Sequence, residues 1–139
     1  MAETAHNDLN PDIVIGQADH RQLNELAMAG LDRTPELADS LLVELERASV
    51  VEDSTLPGNT VRMGSRVLYR TDKGEETAVT VVYPVEADIA QGKISIMTPV
   101  GTALIGLRAG QSITWRSRDN RRHMLTVVSV EPAAETVAE

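Results

Sequence analysis

The stretch Lys93-Ile-Ser-Ile-Met-Thr-Pro-Val-Gly-Thr-Ala-Leu-Ile-Gly-Leu107 leaves its backbone few choices. Ile94 and Ile96 alternate with Lys93 and Ser95, the two-residue period of a half-buried strand. Thr98 offers a side-chain oxygen as a helix N-cap. Pro99 then takes the first helical position, where its missing N–H costs nothing. Ala103, Leu104 and Leu107 recur at helical spacing, and Gly106 predicts the stop. A short strand, a sharp corner and a short buried helix are therefore expected, with an acidic helical half ahead of them and β-structure around them.

In the helical half, Ile13-Val14-Ile15 reads as an edge strand or staple ended by Gly16. Asp19 is expected to cap a helix, with Gln22 as its capping-box partner and Leu23, Leu26, Ala27 and Leu31 as its apolar stripe. Gly30 ends it. Thr34 and Pro35 start a second helix, with Glu36 in its first turn. Leu37, Leu41, Leu42, Leu45 and Ala48 share one face. Two amphipathic helices so closely joined predict an antiparallel hairpin, its second helix roughly 24 Å long at ~1.5 Å per residue.

Glu52–Asn59 is a linker by composition, with Pro57-Gly58 as its strongest breaker. It divides the chain into a helical segment 1–53, a linker 54–60, a β-rich domain 61–131 and a tail 132–139. In the β-rich part, Arg66–Arg70 and Thr77–Tyr83 read as strands joined through Asp72-Lys73-Gly74. Val85–Gln91 reads as a short helical turn ended by Gly92. Ser112–Arg116 and Arg122–Val130 read as the last two strands, with turns at Ala109-Gly110 and Ser117–Asn120. The fold class is α+β.

The net charge of −8 is uneven. Residues 1–60 hold 12 acids against 3 bases, a balance of −9, and residues 61–139 hold 9 against 10, a balance of +1. An acidic first half favours a basic partner and disfavours direct nucleic-acid binding there, because phosphates are repelled; an acidic surface also simply serves solubility. The chain has no Cys, hence no disulfide framework and no thiolate chemistry, which fits the cytoplasm. No apolar run reaches the ~20 residues of a membrane span, and Met1–Asn10 lacks a signal-peptide pattern. Both ends are expected to fray.

No catalytic constellation emerges. His6, His20 and His123 are scattered outside any metal-ligand spacing, so neither metal nor cofactor is expected. Gly64-Ser65-Arg66 is not a nucleophile elbow, and no phosphate-binding loop is present. Asp32 and Glu36, flanking the hairpin turn with Arg33, have two readings. An acidic tip can hold a divalent cation in a partner's site, and acids at helix ends are also favoured locally. Arg116, Arg118, Arg121 and Arg122, with Arg108 nearby, form a basic cluster. It suits an acidic protein surface or phosphates, or it serves only to discourage β-edge pairing. Trp115 lies among these charges as a candidate interface aromatic or a core residue.

Met63-Gly-Ser-Arg-Val67, Val79-Thr-Val-Val-Tyr-Pro-Val-Glu-Ala-Asp88 and the run Gly92–Gly110 together resemble the C-terminal domain of bacterial Gre transcript-cleavage factors. The resemblance covers the last half of the chain. Its specific part is the ordered string Ile-Ser, Thr-Pro-x-Gly-x-Ala-Leu-x-Gly and a later Gly. Tyr83-Pro84 and the short hairpin are more similar to the Rnk branch, the regulators of nucleoside diphosphate kinase, and with that branch the likeness reaches the N-terminal helices. Two positions depart from the Gre pattern: Thr98 stands where Ser is usual, and Gln111 where Asp is usual.

The resemblance implies an N-terminal antiparallel coiled coil followed by an FKBP-like domain, an antiparallel sheet packed on a short helix. It also implies a bacterial, cytoplasmic regulator that is not an enzyme. Such a regulator docks on RNA polymerase at the secondary channel and competes with Gre-like factors without stimulating transcript cleavage. Asp32, Arg33 and Glu36 would then face the channel. Met97, Thr98, Pro99 and Gly101, with Arg116, Arg118, Arg121 and Arg122, would form the docking surface. The alternatives are a true cleavage factor using Asp32 and Glu36 as metal-holding acids, or a module acting on nucleoside diphosphate kinase. Prolyl isomerase activity is rejected, because a chain with no Phe and only Trp115, Tyr69 and Tyr83 as aromatics lacks the residues to line such a pocket.

Overall fold

A computed structural model of the chain describes residues 9–117 and 119–132. The expectations placed on residues 1–8, on Arg118 and on 133–139 lie outside these. Among the described residues, the order is β1 (Val14–Gly16), α1 (Gln17–Gly30), α2 (Pro35–Arg47), β2 (Ser49–Val51), β3 (Arg66–Thr71), β4 (Glu76–Val82), β5 (Lys93–Ser95), α3 (Pro99–Leu104), β6 (Ser112–Arg116) and β7 (Arg122–Glu131). Single 3₁₀ turns lie at Asp53–Thr55, Pro84–Glu86 and Ile89–Gln91.

The corner forms as its residues dictate. The Thr98 hydroxyl accepts from the Gly101 N–H at 3.1 Å and donates to the Ser95 carbonyl at 2.7 Å. A side chain on buried Gly101 would overlap that same carbonyl, so the tight corner requires glycine. Helix α3 ends at Leu104, earlier than its apolar spacing suggests, and Leu107 lies beyond it. Gly106 is not the helix cap. Its φ of +82° carries the chain past Ile13, whose Cβ would lie 2.9 Å from a Cβ at position 106.

The sheet is mixed rather than antiparallel. Its order is β5-β4-β3-β7-β6, and β5 runs parallel to β4. The reason is the crossover Pro84–Gln91, which carries the chain back along the sheet before β5 begins. The other pairs are antiparallel: β3 with β4 and β6 with β7 are hairpins, and β3 with β7 joins them. Val128 is an extra residue in β7, where the register with β3 shifts between Leu68 and Tyr69. The N-terminal staple finds a partner that local pattern does not reveal: β1 pairs in parallel with β2. On each sheet edge one residue is paired by another part of the chain itself. Asp88 and Lys93 exchange backbone bonds at 2.9 and 3.0 Å beside β5, and Leu9 is bound through its N–H and carbonyl to Thr114 of β6. Leu9 is thus held on the sheet, unlike the frayed residue expected there.

The two helices bury Leu23 and Ala27 from α1 with Ala38, Leu41 and Leu45 from α2. Ala38 replaces Leu37 in the expected stripe, and Leu37 is only half-buried. Asp19 does not cap α1. Gly16 holds the N-cap position, and the Asp53 carboxylate, brought in from the linker, accepts from the Ala18 N–H at 3.3 Å. Asp19 instead accepts from the Met63 N–H at 3.1 Å and ties α1 to the start of the sheet domain. One hydrophobic core runs through both halves, joining Leu23, Leu41 and Leu45 to Leu104, Leu107, Val67 and Leu125.

Candidate functional site

The hairpin turn is organised by the Gly30 carbonyl, which accepts from the N–H groups of Arg33 (3.2 Å) and Thr34 (2.8 Å) and from the Thr34 hydroxyl (3.3 Å). Asp32, Arg33 and Glu36 are all exposed there. The tip does not stand clear of the body. The Met97 side chain of the β5–α3 corner comes within 3.2 Å of where a Gly30 Cβ would lie. Among the described residues, no group of three or more His, Cys, Asp or Glu is placed to hold a metal ion.

Behind this contact, α2 and the sheet enclose a groove of about 840 Å³. Arg33, Glu36 and Asp39 line its helical wall. Pro99 of α3 and Ile113, Trp115 and Arg116 of β6 also line it. Two sets of residues distant in sequence, the hairpin tip and the corner with the β6–β7 hairpin, therefore meet in one concavity. Asp32 and Gly101 do not line it, and Gly101 is buried. Asp39 and Val43 belong to the wall although the tip pattern did not single them out; their helical spacing from Glu36 was the available signal. Glu44 also lines the groove, but its charge is met by Arg47 at 2.9 Å, whose other nitrogen donates to the Pro11 carbonyl at 2.7 Å.

The basic side is built on a short turn. Ser117 N–H donates to the Arg121 carbonyl at 3.0 Å, and Asn120 takes a left-handed φ of 63°. The Ser117 hydroxyl donates to the Asp119 carboxylate, which holds that acid below its ordinary pKa. Arg121 pairs with Asp119 at 3.3 Å, fully in solvent. Arg116 and Arg122 face each other across the β6–β7 pair, and Arg116 is exposed. Trp115 stacks on His123 with ring centroids 4.7 Å apart, and the His123 Nε2 lies 3.1 Å from the Ser117 oxygen. A shallower apolar pocket of about 310 Å³ lies against the same Pro99 and Trp115, formed with Tyr69, Val79 and Ile94. Burial raises the Tyr69 phenol above its usual pKa.

On the other side of the hairpin, burial raises the Asp19 carboxyl above its ordinary value, partly offset by the Met63 bond and the Arg62 charge. Burial, with the charges of Asp19 and Glu86, pushes Tyr83 up to about 12. The Tyr83 hydroxyl donates to Gln22 at 2.7 Å, so this cluster fastens α1 to the end of β4.

Residues 56–132 match the family model described as transcription elongation factor GreA/GreB, C-term, and residues 11–51 match the model Rnk N-terminus. The chain is 35% identical over 134 residues to the regulator of nucleoside diphosphate kinase of Escherichia coli K12, spanning 93% of this chain and 96% of that protein. The chain belongs to the Rnk-type branch of the Gre factor family. The Gre side of the kinship is seen in transcription elongation factor GreA of Rhodospirillum rubrum, 39% identical over 101 residues, 68% of this chain and 64% of that one. Among solved structures, the GreA/GreB elongation factor of Nitrosomonas europaea superposes with a TM-score of 0.70 at 34% identity, over 87% of this chain and all of that one. In this Rnk-type member the groove lies between the segment matched by the Rnk N-terminal model and the one matched by the GreA/GreB model.

Proposed function

We propose that the protein is an RNA polymerase-binding regulator of transcription that docks through the groove and its rim and does not stimulate transcript cleavage. The observation that carries this reading is the meeting of the hairpin tip with the β5–α3 corner and the β6–β7 hairpin, in a chain of the Rnk-type branch. One partner surface can touch all three at once. Met97, Thr98 and Pro99 form the corner contact, Arg116, Arg118, Arg121 and Arg122 the basic contact, and Asp32, Arg33 and Glu36 the part facing the channel. On this reading the helices (1–53) are the counterpart of the family's coiled coil, and residues 61–131 form its FKBP-like docking body, acting in the cytoplasm. The arm is short: α2 has 13 residues, about 20 Å at ~1.5 Å each, and its inner face is taken up by the core. An arm so held cannot carry Asp32 and Glu36 deep into a channel.

The test is binding of the full chain to purified bacterial RNA polymerase across a salt series, with and without a competing Gre factor, and a cleavage assay on a stalled elongation complex. Binding that weakens with salt, mutual exclusion with the Gre factor and no stimulated cleavage are expected. Absence of binding at micromolar concentration and low salt refutes the reading. Strong cleavage that disappears in Asp32→Ala/Glu36→Ala makes the protein a cleavage factor. Co-purification of a nucleoside diphosphate kinase without polymerase moves its action to that enzyme.

A further inference from the structure

The crossover between β4 and β5 exposes two large aliphatic side chains to a degree found nowhere else among the described residues. Val85 is 92% exposed and Ile89 85%, whereas the next large apolar residue, Met28, is 56% exposed. These two are not carried on a loose loop. The Glu86 N–H donates to the Tyr83 carbonyl (2.9 Å), Ala87 to Pro84 (3.2 Å), Gln91 to Asp88 (3.0 Å) and Gly92 to Ile89 (3.0 Å). Together with the Asp88–Lys93 exchange, these bonds make two consecutive 3₁₀ turns that hold Val85 and Ile89 outward in a fixed frame. A backbone ordered in advance loses less entropy on binding than a loose loop, which suits an anchor.

The position of the turns ties them to the docking corner. Val82 is the register partner of Ser95, so Pro84 and Val85 begin level with the residues that lead into Met97 and Thr98. From there the crossover returns along the outer side of β5 to Lys93. Because Asp88 already pairs with Lys93 on that edge, strand addition is obstructed there, and side chains are what the crossover offers a partner. Glu86 and Asp88 are exposed between the two aliphatics. An apolar pair interleaved with acids repels anionic membrane and nucleic-acid phosphate, and complements an apolar pocket rimmed by Arg or Lys. Two side chains are also a small part of the roughly 800 Å² per partner that a stable protein–protein interface takes. This argues for an extension of a larger contact and against a free-standing dimer face.

We propose that Val85 and Ile89 are an apolar anchor that extends the docking corner along the outer side of β5, inserting into a basic-rimmed apolar pocket on RNA polymerase. The inference rests on the polymerase-binding reading above. The test compares wild type with Val85→Ser/Ile89→Ser and with Glu86→Gln/Asp88→Asn for affinity to purified RNA polymerase, with circular dichroism and thermal unfolding confirming the fold. The first variant should bind about tenfold or more weakly, as expected when interface anchors are removed. The second should associate more slowly and show a shallower salt dependence. If wild type binds and Val85→Ser/Ile89→Ser binds equally well, the anchor is wrong and the polymerase reading stands. If wild type does not bind, both fall. Sedimentation that shows a wild-type dimer lost in the serine variant assigns the patch to a second copy and overturns the proposal.

Discussion

Replacing Thr98 by valine keeps the β-branched shape and removes one hydroxyl. That hydroxyl makes two bonds at the β5–α3 corner, one to the Gly101 N–H at 3.1 Å and one to the Ser95 carbonyl at 2.7 Å. Loss of an N-cap costs about 1 kcal/mol, with a range of roughly 0.5–2. The lost bond to Ser95 adds about 0.5–1 kcal/mol, the low side of the usual range, because the Thr98 N–H still donates to the same carbonyl at 3.0 Å. The expected destabilisation of Thr98→Val is therefore about 2 kcal/mol. For a chain of this length that lowers Tm by roughly 6–10 °C. Thr98→Ser retains the oxygen and should stay within about 0.5 kcal/mol of wild type, since only a partly exposed methyl is lost. Urea unfolding followed by circular dichroism measures both at constant slope. A valine variant as stable as wild type, or a serine variant as weak as valine, would refute the account of the corner. If the corner also docks, Thr98→Val should weaken polymerase binding at temperatures where it is fully folded, and Thr98→Ser should not.

Gly106→Ala forces a φ of +82° on a residue with a Cβ that would lie 2.9 Å from Ile13. The left-handed backbone costs about 1 kcal/mol and the overpacking about 1–3 more, so a loss of about 2–4 kcal/mol in urea unfolding is expected. Leu41 is fully buried in the shared core, and Leu41→Ala should cost about 2–5 kcal/mol. Helical ellipticity and Trp115 fluorescence should then shift together; a shift in ellipticity alone would mean that the hairpin unfolds separately. Asp19 has a folded pKa above its ordinary 3.8, so the folded state binds its proton more tightly than the unfolded chain does. Its contribution is fully present below 3.8 and is lost as pH rises through the raised value. Asp19→Asn, which keeps an oxygen for the Met63 N–H, should remove that decline; a stability profile identical to wild type over this window would show that the raised pKa is wrong.

Features set by neighbouring residues were legible in the sequence. The Thr98-Pro99 corner, the Thr34-Pro35 start of α2 and the β3–β4 turn at Gly74 depend on backbone chemistry within a few positions. Features set by distant partners were not. Asp19 and Asp53 are both acids near a helix start, and only the folded chain decides that Asp53 serves the Ala18 N–H while Asp19 serves Met63. Ser49–Val51 is three residues long and polar at one end, and becomes a strand because Val14–Gly16 lies beside it. The parallel β5 follows from the path of a crossover that no local pattern encodes. The tip and the basic cluster each stood out by charge, yet their meeting across one groove depends on how α2 packs on α3 and α3 on β6, and Asp39 gained its place there only through that packing.

The shared core makes arm length an adjustable quantity with one place of adjustment. Leu23, Ala27, Leu41 and Leu45 are fixed by the body, so helix cannot be added at the base without rebuilding the interior. The turn Leu31–Thr34 carries no fully buried residue. Whole pairs of helical turns inserted there would extend the hairpin beyond Gly30, move Asp32 away from the body and leave the interior as it is. In this scaffold, reach and foldedness are decoupled at a single four-residue hinge of sequence.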